Sequence, residues 1–279
     1  MSAADPSVLA ALLEAIDETL RAKDSRPVVI GLCGAQGSGK STLARAAREA
    51  CEANAISAAV LSIDDLYQTK DERELLARDV HPLLATRGPP GTHDVPLGNA
   101  VLDSLGRGQL VSLPRFDKAR DDRAPESQWL EAPERCDVLL LEGWCVGARP
   151  QADAALGEPV NRLEAFEDQQ GIWRRHVNAA LASVYQSLFA RIDCLAMLAA
   201  PDFEVVFEWR MQQEAELAEC AGTEASGVMN KEQVARFIQH YERLTRHMLA
   251  EMPERADLLV RLDHQRRAVE IRRAPKASR

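Results

Sequence analysis

Residues Gly34 to Ser41 read GAQGSGKS, which satisfies G-x-x-x-x-G-K-[ST] at every fixed position. Glycines at that spacing let successive backbone N–H groups turn inward around phosphate oxygens, because no Cβ obstructs the approach. Lys40 then reaches the β- and γ-phosphates, and the Ser41 hydroxyl can ligate Mg²⁺. The implied chemistry is nucleoside triphosphate binding. Gly34, Ala35, Gln36, Gly37, Ser38, Gly39, Lys40, Ser41 and Thr42 are the expected binding residues. The motif specifies the nucleotide and leaves the reaction open.

Acids placed after apolar runs suggest what the reaction is. SIDDLYQT, Ser62 to Thr69, begins where a second apolar run ends, so Asp64 is expected at the carboxyl edge of a sheet, beside the cradle if the two strands are neighbours. A carboxylate there can take the proton of an attacking hydroxyl, with Asp65 in reserve. The plainer reading of Asp64 is a turn or a helix cap. LLLEGW, Leu139 to Trp144, puts Glu142 at the end of another apolar run. It is expected to hold Mg²⁺ together with Ser41, the plainer reading being a solvated strand end.

Basic residues follow in loop-rich segments. LPRFDKARDDR, Leu113 to Arg123, offers Arg115 and Lys118 as grips for a substrate carboxylate or phosphate, unless Asp117, Asp121 and Asp122 merely balance them. Tyr67, and His93 with Asp94 in GTHD, are further candidate substrate contacts. Arg210 lies in FEWRMQQE, Phe207 to Glu214, which begins a helix and leads into a Gly222–Gly227 loop, where a lid would close over the reaction; an i,i+4 pair with Glu214 is the alternative. Arg243 lies on a helical stretch whose apolar stripe reads as core, and it faces either a ligand or a partner charge.

Elements must hold these groups in place. Pro27 to Cys33, Ala58 to Ile63, Asp137 to Leu141, Ile192 to Leu198 and Leu258 to Leu262 are apolar runs of strand length. Helical patterns alternate with them, at 5–23, Lys40 to Ala53, Leu97 to Leu105, Arg162 to Ala190 with a break near Gly171, Phe203 to Ala218 and Lys231 to Glu251. Alternation of this kind predicts an α/β fold with a parallel sheet, whose ligands sit beyond the carboxyl ends of the strands. One domain is expected over residues 1–263, with a lid at about 210–230, followed by a basic tail over 264–279.

Composition narrows the partners. The 279 residues carry a net charge of −9, and only 5% are aromatic. An acidic, aromatic-poor chain lacks the footprint of a nucleic-acid binder, and a basic tail is more ordinarily solvated. Six cysteines, at 33, 51, 136, 145, 194 and 220, form no C-x-x-C pair, and the longest apolar run, Cys194 to Ala200, is far too short to span a bilayer. The expectation is a cytoplasmic protein with reduced thiols and no membrane partner.

GLCGAQGSGKST, SIDDLYQT, THD, LPRFDKARDDR, LLLEGWCVG, QQGIWRRHVN, WRMQQE and RFIQHYERLTRHML together resemble the D-glycerate 3-kinase family of plant and fungal type, over most of Pro27 to Asp263. The wider layout is similar to uridine kinase, phosphoribulokinase and pantothenate kinase. The resemblance implies the P-loop NTPase three-layer fold, a central parallel sheet flanked by helices, plus a helical lid. It implies transfer of the γ-phosphoryl group of ATP, with Mg²⁺, to a hydroxyl of D-glycerate. Asp64 would be the base, Arg210 the lid arginine, and Arg115, Lys118 and Arg243 substrate contacts. Leu66 departs from the Phe that relatives tend to carry there, which bears on the pocket wall. A kinase for a nucleoside or pantothenate, or an ATP-binding regulatory protein with weak ATPase activity, are the alternatives.

Overall fold

The computed structural model of the chain describes residues 3–221 and 229–274. In chain order its elements are α1 (Pro6–Ala22), β1 (Val28–Gly34), α2 (Lys40–Ala53), β2 (Ala58–Ser62), α3 (Lys70–Asp79), α4 (Val95–Gly106), β3 (Ser112–Leu113), β4 (Phe116–Asp117), β5 (Asp122–Arg123), β6 (Leu130–Glu131), β7 (Val138–Gly143), α5 (Arg162–Glu167), α6 (Ile172–Ala182), α7 (Val184–Phe189), β8 (Cys194–Ala199), α8 (Glu204–Ala221), α9 (Lys231–Glu251), β9 (Leu258–Leu262) and β10 (Ala268–Arg273). The main sheet runs β10-β9-β8-β1-β7-β2, parallel throughout except for β10.

The apolar runs become strands because both faces of the sheet are covered. Val28, Ile30 and Leu32 of β1 pack with Leu12, Ile16, Leu43 and Ala47 of α1 and α2. Val29 and Cys33, pointing the other way, pack with Leu102, Tyr185, Tyr241 and Leu244 of α4, α7 and α9. The result is the expected three-layer α/β arrangement. Helix starts obey their local signals. Asp5 caps α1 by accepting the N–H groups of Ser7 and Val8, and Asn230 forms a reciprocal capping box with Gln233 at the start of α9.

Three expectations change. β2 does not neighbour β1, because β7 lies between them, so Leu32 pairs in register with Glu142 and Glu142 with Ser62. Glu142 therefore stands between the cradle and Asp64. The helical stretch from Arg162 is broken twice, at Asp168–Gly171 and again at Ser183, giving α5, α6 and α7. The stretch after Asp263 is no separate tail at 268–273, where β10 closes the edge of the sheet against β9. The Gly222–Gly227 loop and residues 275–279 lie outside the described residues. Among the described residues no helix is long and apolar enough to cross a membrane.

Candidate active site

The cradle is built as its spacing requires. β1 ends at Gly34, and the loop hands over to α2 through Gly39 at φ +89. Gly37 adopts φ +79, and a Cβ there would lie 2.6 Å from the Cβ of Trp209, so only glycine fits. Ser38 N–H donates to the Ala35 carbonyl at 3.1 Å, and Leu43 N–H to Gly39 at 3.0 Å. The first-turn amides of α2 are those a helix N-terminus offers to an anion. The buried Gln36 Oε1 and Ser38 Oγ have no hydrogen-bond partner, as expected of a surface shaped for a ligand.

Ser41 Oγ donates to Glu142 Oε1 at 2.9 Å, whereas the buried Glu142 Oε2 is unpartnered. A hard divalent cation suits that pair. Mg²⁺ is usually held by one or two protein oxygens, with phosphate and water completing the shell.

A cleft opens beside Lys40, lined also by Gln36, Asp64, Tyr67, Arg87, Lys118, Trp144, Arg210, Phe237 and Tyr241. Asp64 is its negative centre. Its Oδ1 accepts the Tyr67 hydroxyl at 2.8 Å and its Oδ2 accepts Lys118 Nζ at 2.8 Å. Burial alone would raise this carboxyl, but the Lys118 ammonium, and then Lys40, outweigh it and hold Asp64 well below the usual carboxylate range. Asp65 goes the other way. Burial, helped by the charges of Asp64 and Glu142, raises it to about 6 against the hydrogen bond it accepts from Phe116 N–H at 3.0 Å. That bond ties β4, and the turn bearing Lys118, to the end of β2.

The structure brings some expected residues into this cleft and leaves others outside. Lys40, Asp64, Tyr67, Lys118 and Arg210 line it. Arg210 makes the i,i+4 pair its spacing allowed, with buried Glu214, and also stacks over Phe237 at 5.6 Å. Arg115 is exposed and does not line the cleft, because the β4–β5 hairpin turns Lys118 inward instead. His93 is a layer behind, stacked on Tyr67 at 4.5 Å and hydrogen-bonded through Nδ1 to the Tyr185 hydroxyl at 2.6 Å. Burial lowers it to about 4, so it stays neutral. Asp94 is a helix cap, accepting Leu97 N–H at 3.0 Å and pairing with Arg123. Leu66 is fully buried in the core and is no part of the cleft wall.

Arg243 is the largest correction. It makes a two-pronged bond to fully buried Glu164 (2.8 and 2.6 Å) and donates to the carbonyls of Ala155 and Glu158. It fastens α9 to α5, through Glu164, and to the Ala155–Glu158 segment before it. Substituting Arg243 by Ala strands a buried carboxylate and is expected to lower the unfolding free energy by about 3–5 kcal/mol. Urea denaturation measures this; a weakened acceptor affinity at unchanged stability would return Arg243 to the ligand set.

Arg87 is the residue sequence reading missed. It sits in RGPPG, where only the abundance of glycine and proline drew notice. Its guanidinium lies over Phe116 at 5.4 Å and pairs with Asp121, while its carbonyl accepts the Tyr241 hydroxyl at 3.1 Å. Arg73, 1% exposed, draws these loops together by donating to the carbonyls of Gln68, Ala85 and Asp121. Neither role is visible in spacing.

Residues 29–148 match the model of the phosphoribulokinase/uridine kinase family. The chain is 37% identical over 229 residues to a Schizosaccharomyces pombe protein described as an uncharacterized kinase, covering 78% of this chain and 79% of that one. It is 28% identical over 260 residues to the chloroplastic D-glycerate 3-kinase of Arabidopsis thaliana, covering 88% of this chain and 55% of that protein. The structure of D-glycerate 3-kinase from Cryptococcus neoformans superposes with a TM-score of 0.80 at 26% identity, over 97% of this chain and 100% of that one.

Proposed function

The chain belongs to the phosphoribulokinase/uridine kinase family, and from that premise we propose that it transfers the γ-phosphoryl group of ATP to a hydroxyl of D-glycerate. It is a P-loop phosphotransferase with an alcohol acceptor. The finer reading rests on one observation. Lys118, Arg87 and Arg210 gather with Lys40 around Asp64 in a protein whose net charge is −9. A neutral alcohol needs no such concentration of cations, whereas a small hydroxy acid brings a carboxylate that does.

The cradle amides and Lys40 hold the phosphates, and the acceptor lies between Asp64 and the cationic wall. Its hydroxyl oxygen forms a bond to the γ-phosphorus as the bond to the ADP oxygen breaks. The hydroxyl proton passes to a carboxylate oxygen of Asp64. An acid held so far below its usual range is a weak base, which suits a loose transition state in which the proton leaves late and orientation of the hydroxyl matters most. Ser41 and Glu142 would hold Mg²⁺, which when bound offsets charge on the β- and γ-phosphates. Arg210, near the base of the proposed lid, steadies the transferring group.

A panel of D-glycerate, glycerol, uridine and pantothenate, read by ADP release, tests the reading. D-Glycerate is expected to exceed glycerol, its analogue without the carboxylate, by about a hundredfold or more in kcat/KM, because only the acid offers the cationic wall a charge to grip. Uridine or pantothenate turning over faster than D-glycerate would defeat it.

A further inference from the structure

Arg266 belongs by sequence to the basic stretch after the last parallel strand and has no part in the chemistry above. The structure folds its turn, Asp263 to Arg267, onto the cradle. Asp263 closes the turn, its carboxylate accepting the N–H groups of Gln265 at 2.8 Å and Arg267 at 2.9 Å, and its own N–H donating to the Arg267 carbonyl at 2.9 Å. Within it Arg266 adopts φ +65, a left-handed conformation uncommon for a residue with a side chain and costly enough to need support from its surroundings. From there Nε donates to the Gly37 carbonyl at 2.5 Å, Nη1 to Gln212 Oε1 at 2.7 Å, and Nη2 to the Trp209 carbonyl at 3.4 Å. The guanidinium also lies over the Trp209 ring at 5.2 Å, and Trp209 Nε1 returns a hydrogen bond to the His264 carbonyl at 2.8 Å.

We infer that Arg266 is a positioning residue for nucleotide binding, fixing the Gly37 peptide of the cradle and fastening the cradle to the first turns of α8. A glycine at φ +79 has little steric resistance to rotation of its peptide. Rotation would turn the Gly37 carbonyl toward the phosphates, where its negative end repels them. The charge-assisted bond to Arg266 commits that oxygen to the guanidinium instead. Because Trp209 and Gln212 share the same guanidinium, the cradle and the helix that bears Arg210 are held in one arrangement. The inference rests on ATP binding at the cradle and stands apart from the identity of the acceptor.

Calorimetric titration of the full chain with a non-hydrolysable ATP analogue, without acceptor, tests it. R266Q is expected to weaken the analogue by about tenfold to a hundredfold, the range for losing a hydrogen bond to a charged group, and R266K by less. The control R267Q removes a neighbouring charge that does not touch the cradle and is expected to bind as the parent does. At saturating ATP the acceptor KM of R266Q stays within about twofold of the parent, because Arg210 keeps its own pair with Glu214 on α8. Unchanged analogue affinity in R266Q, an equal loss in R267Q, or an acceptor KM that rises in parallel would overturn the proposal. If R266Q does not fold, R266K decides the matter by the same titration, an affinity equal to the parent's counting against it. Glycerate failing as acceptor while R266Q still loses the analogue would defeat the acceptor assignment and leave this one standing.

Discussion

Asp64→Asn is expected to lower kcat by about two to four orders of magnitude, the usual range for a positioned general base. The amide keeps the shape of the carboxylate and can still meet Tyr67, but it cannot take the proton from the acceptor hydroxyl. It also ends the ion pair with Lys118, leaving that ammonium free to hold acceptor more tightly while turnover falls. Steady-state rates with saturating ATP and acceptor measure the effect, and near-parent turnover would remove Asp64 from the base role. The pH profile adds a sign. Burial raises the Asp64 carboxyl, but Lys118 and Lys40 pull it well below its ordinary value. Asp64 therefore stays ionised as pH falls through the usual carboxylate range, and rate is lost to its protonation only below that range. The stability this pair contributes follows the same course, present above the unfolded-state value of about 3.9 and lost as pH drops below it. An inflection near pH 6 belongs to Asp65, raised to about 6, whose protonation weakens its hold on Phe116 and hence on the Lys118 turn. Asp65→Asn abolishes that inflection, and Asp64→Asn does not.

Lys40→Ala is expected to reduce kcat/KM by about a hundredfold to a thousandfold, comparable to losing one preorganised charge donor at a transition state. In the proposed transfer Lys40 meets the charge that gathers on the moving group; its cleft is lined by aromatic rings, where an ammonium interacts more strongly than in bulk water. Two effects combine. The phosphates lose a contact, and Asp64 loses one of the two cations that keep it ionised. Initial rates over a range of ATP separate them, since the first raises the ATP KM and the second moves the acid side of the pH profile upward. A loss below tenfold would mean that the cradle amides alone carry the phosphates.

How much of this could be read from residue order is clearest in particular cases. GAQGSGKS needed no tertiary information, because a phosphate cradle is a local object built from one strand end, one loop and one helix start. The parallel strands were legible for a related reason: a strand covered on both faces must be apolar at every position, and VVIGLCG is. Helix α9 matched its predicted limits because an amphipathic stripe and a capping asparagine mark it. β10 escaped because a polar turn, Asp263 to Arg267, followed by charged residues at the sheet edge has the composition of a solvated tail. Asp64, Lys118 and Arg210, singled out by the family resemblance, line one cleft. Arg115 and Arg243, which the resemblance also singled out, and His93 and Asp94 of GTHD do not line it.

What the sequence determined by itself, then, is the nucleotide cradle, the layered sheet around it and the acids at two strand ends, since each follows from contacts between near neighbours or from burial imposed on a whole segment. Only the tertiary structure decided which arginine serves which purpose. Spacing cannot distinguish a guanidinium that meets a buried carboxylate, as Arg243 meets Glu164, from one that faces a cleft, as Arg87 does. The order of the strands was likewise a tertiary matter. With β7 inserted between β1 and β2, Glu142 sits between Ser41 and Asp64, a juxtaposition fixed by hydrogen bonds between segments about eighty to a hundred residues apart. Arg266 is the extreme case, 229 residues from the glycine whose carbonyl it holds.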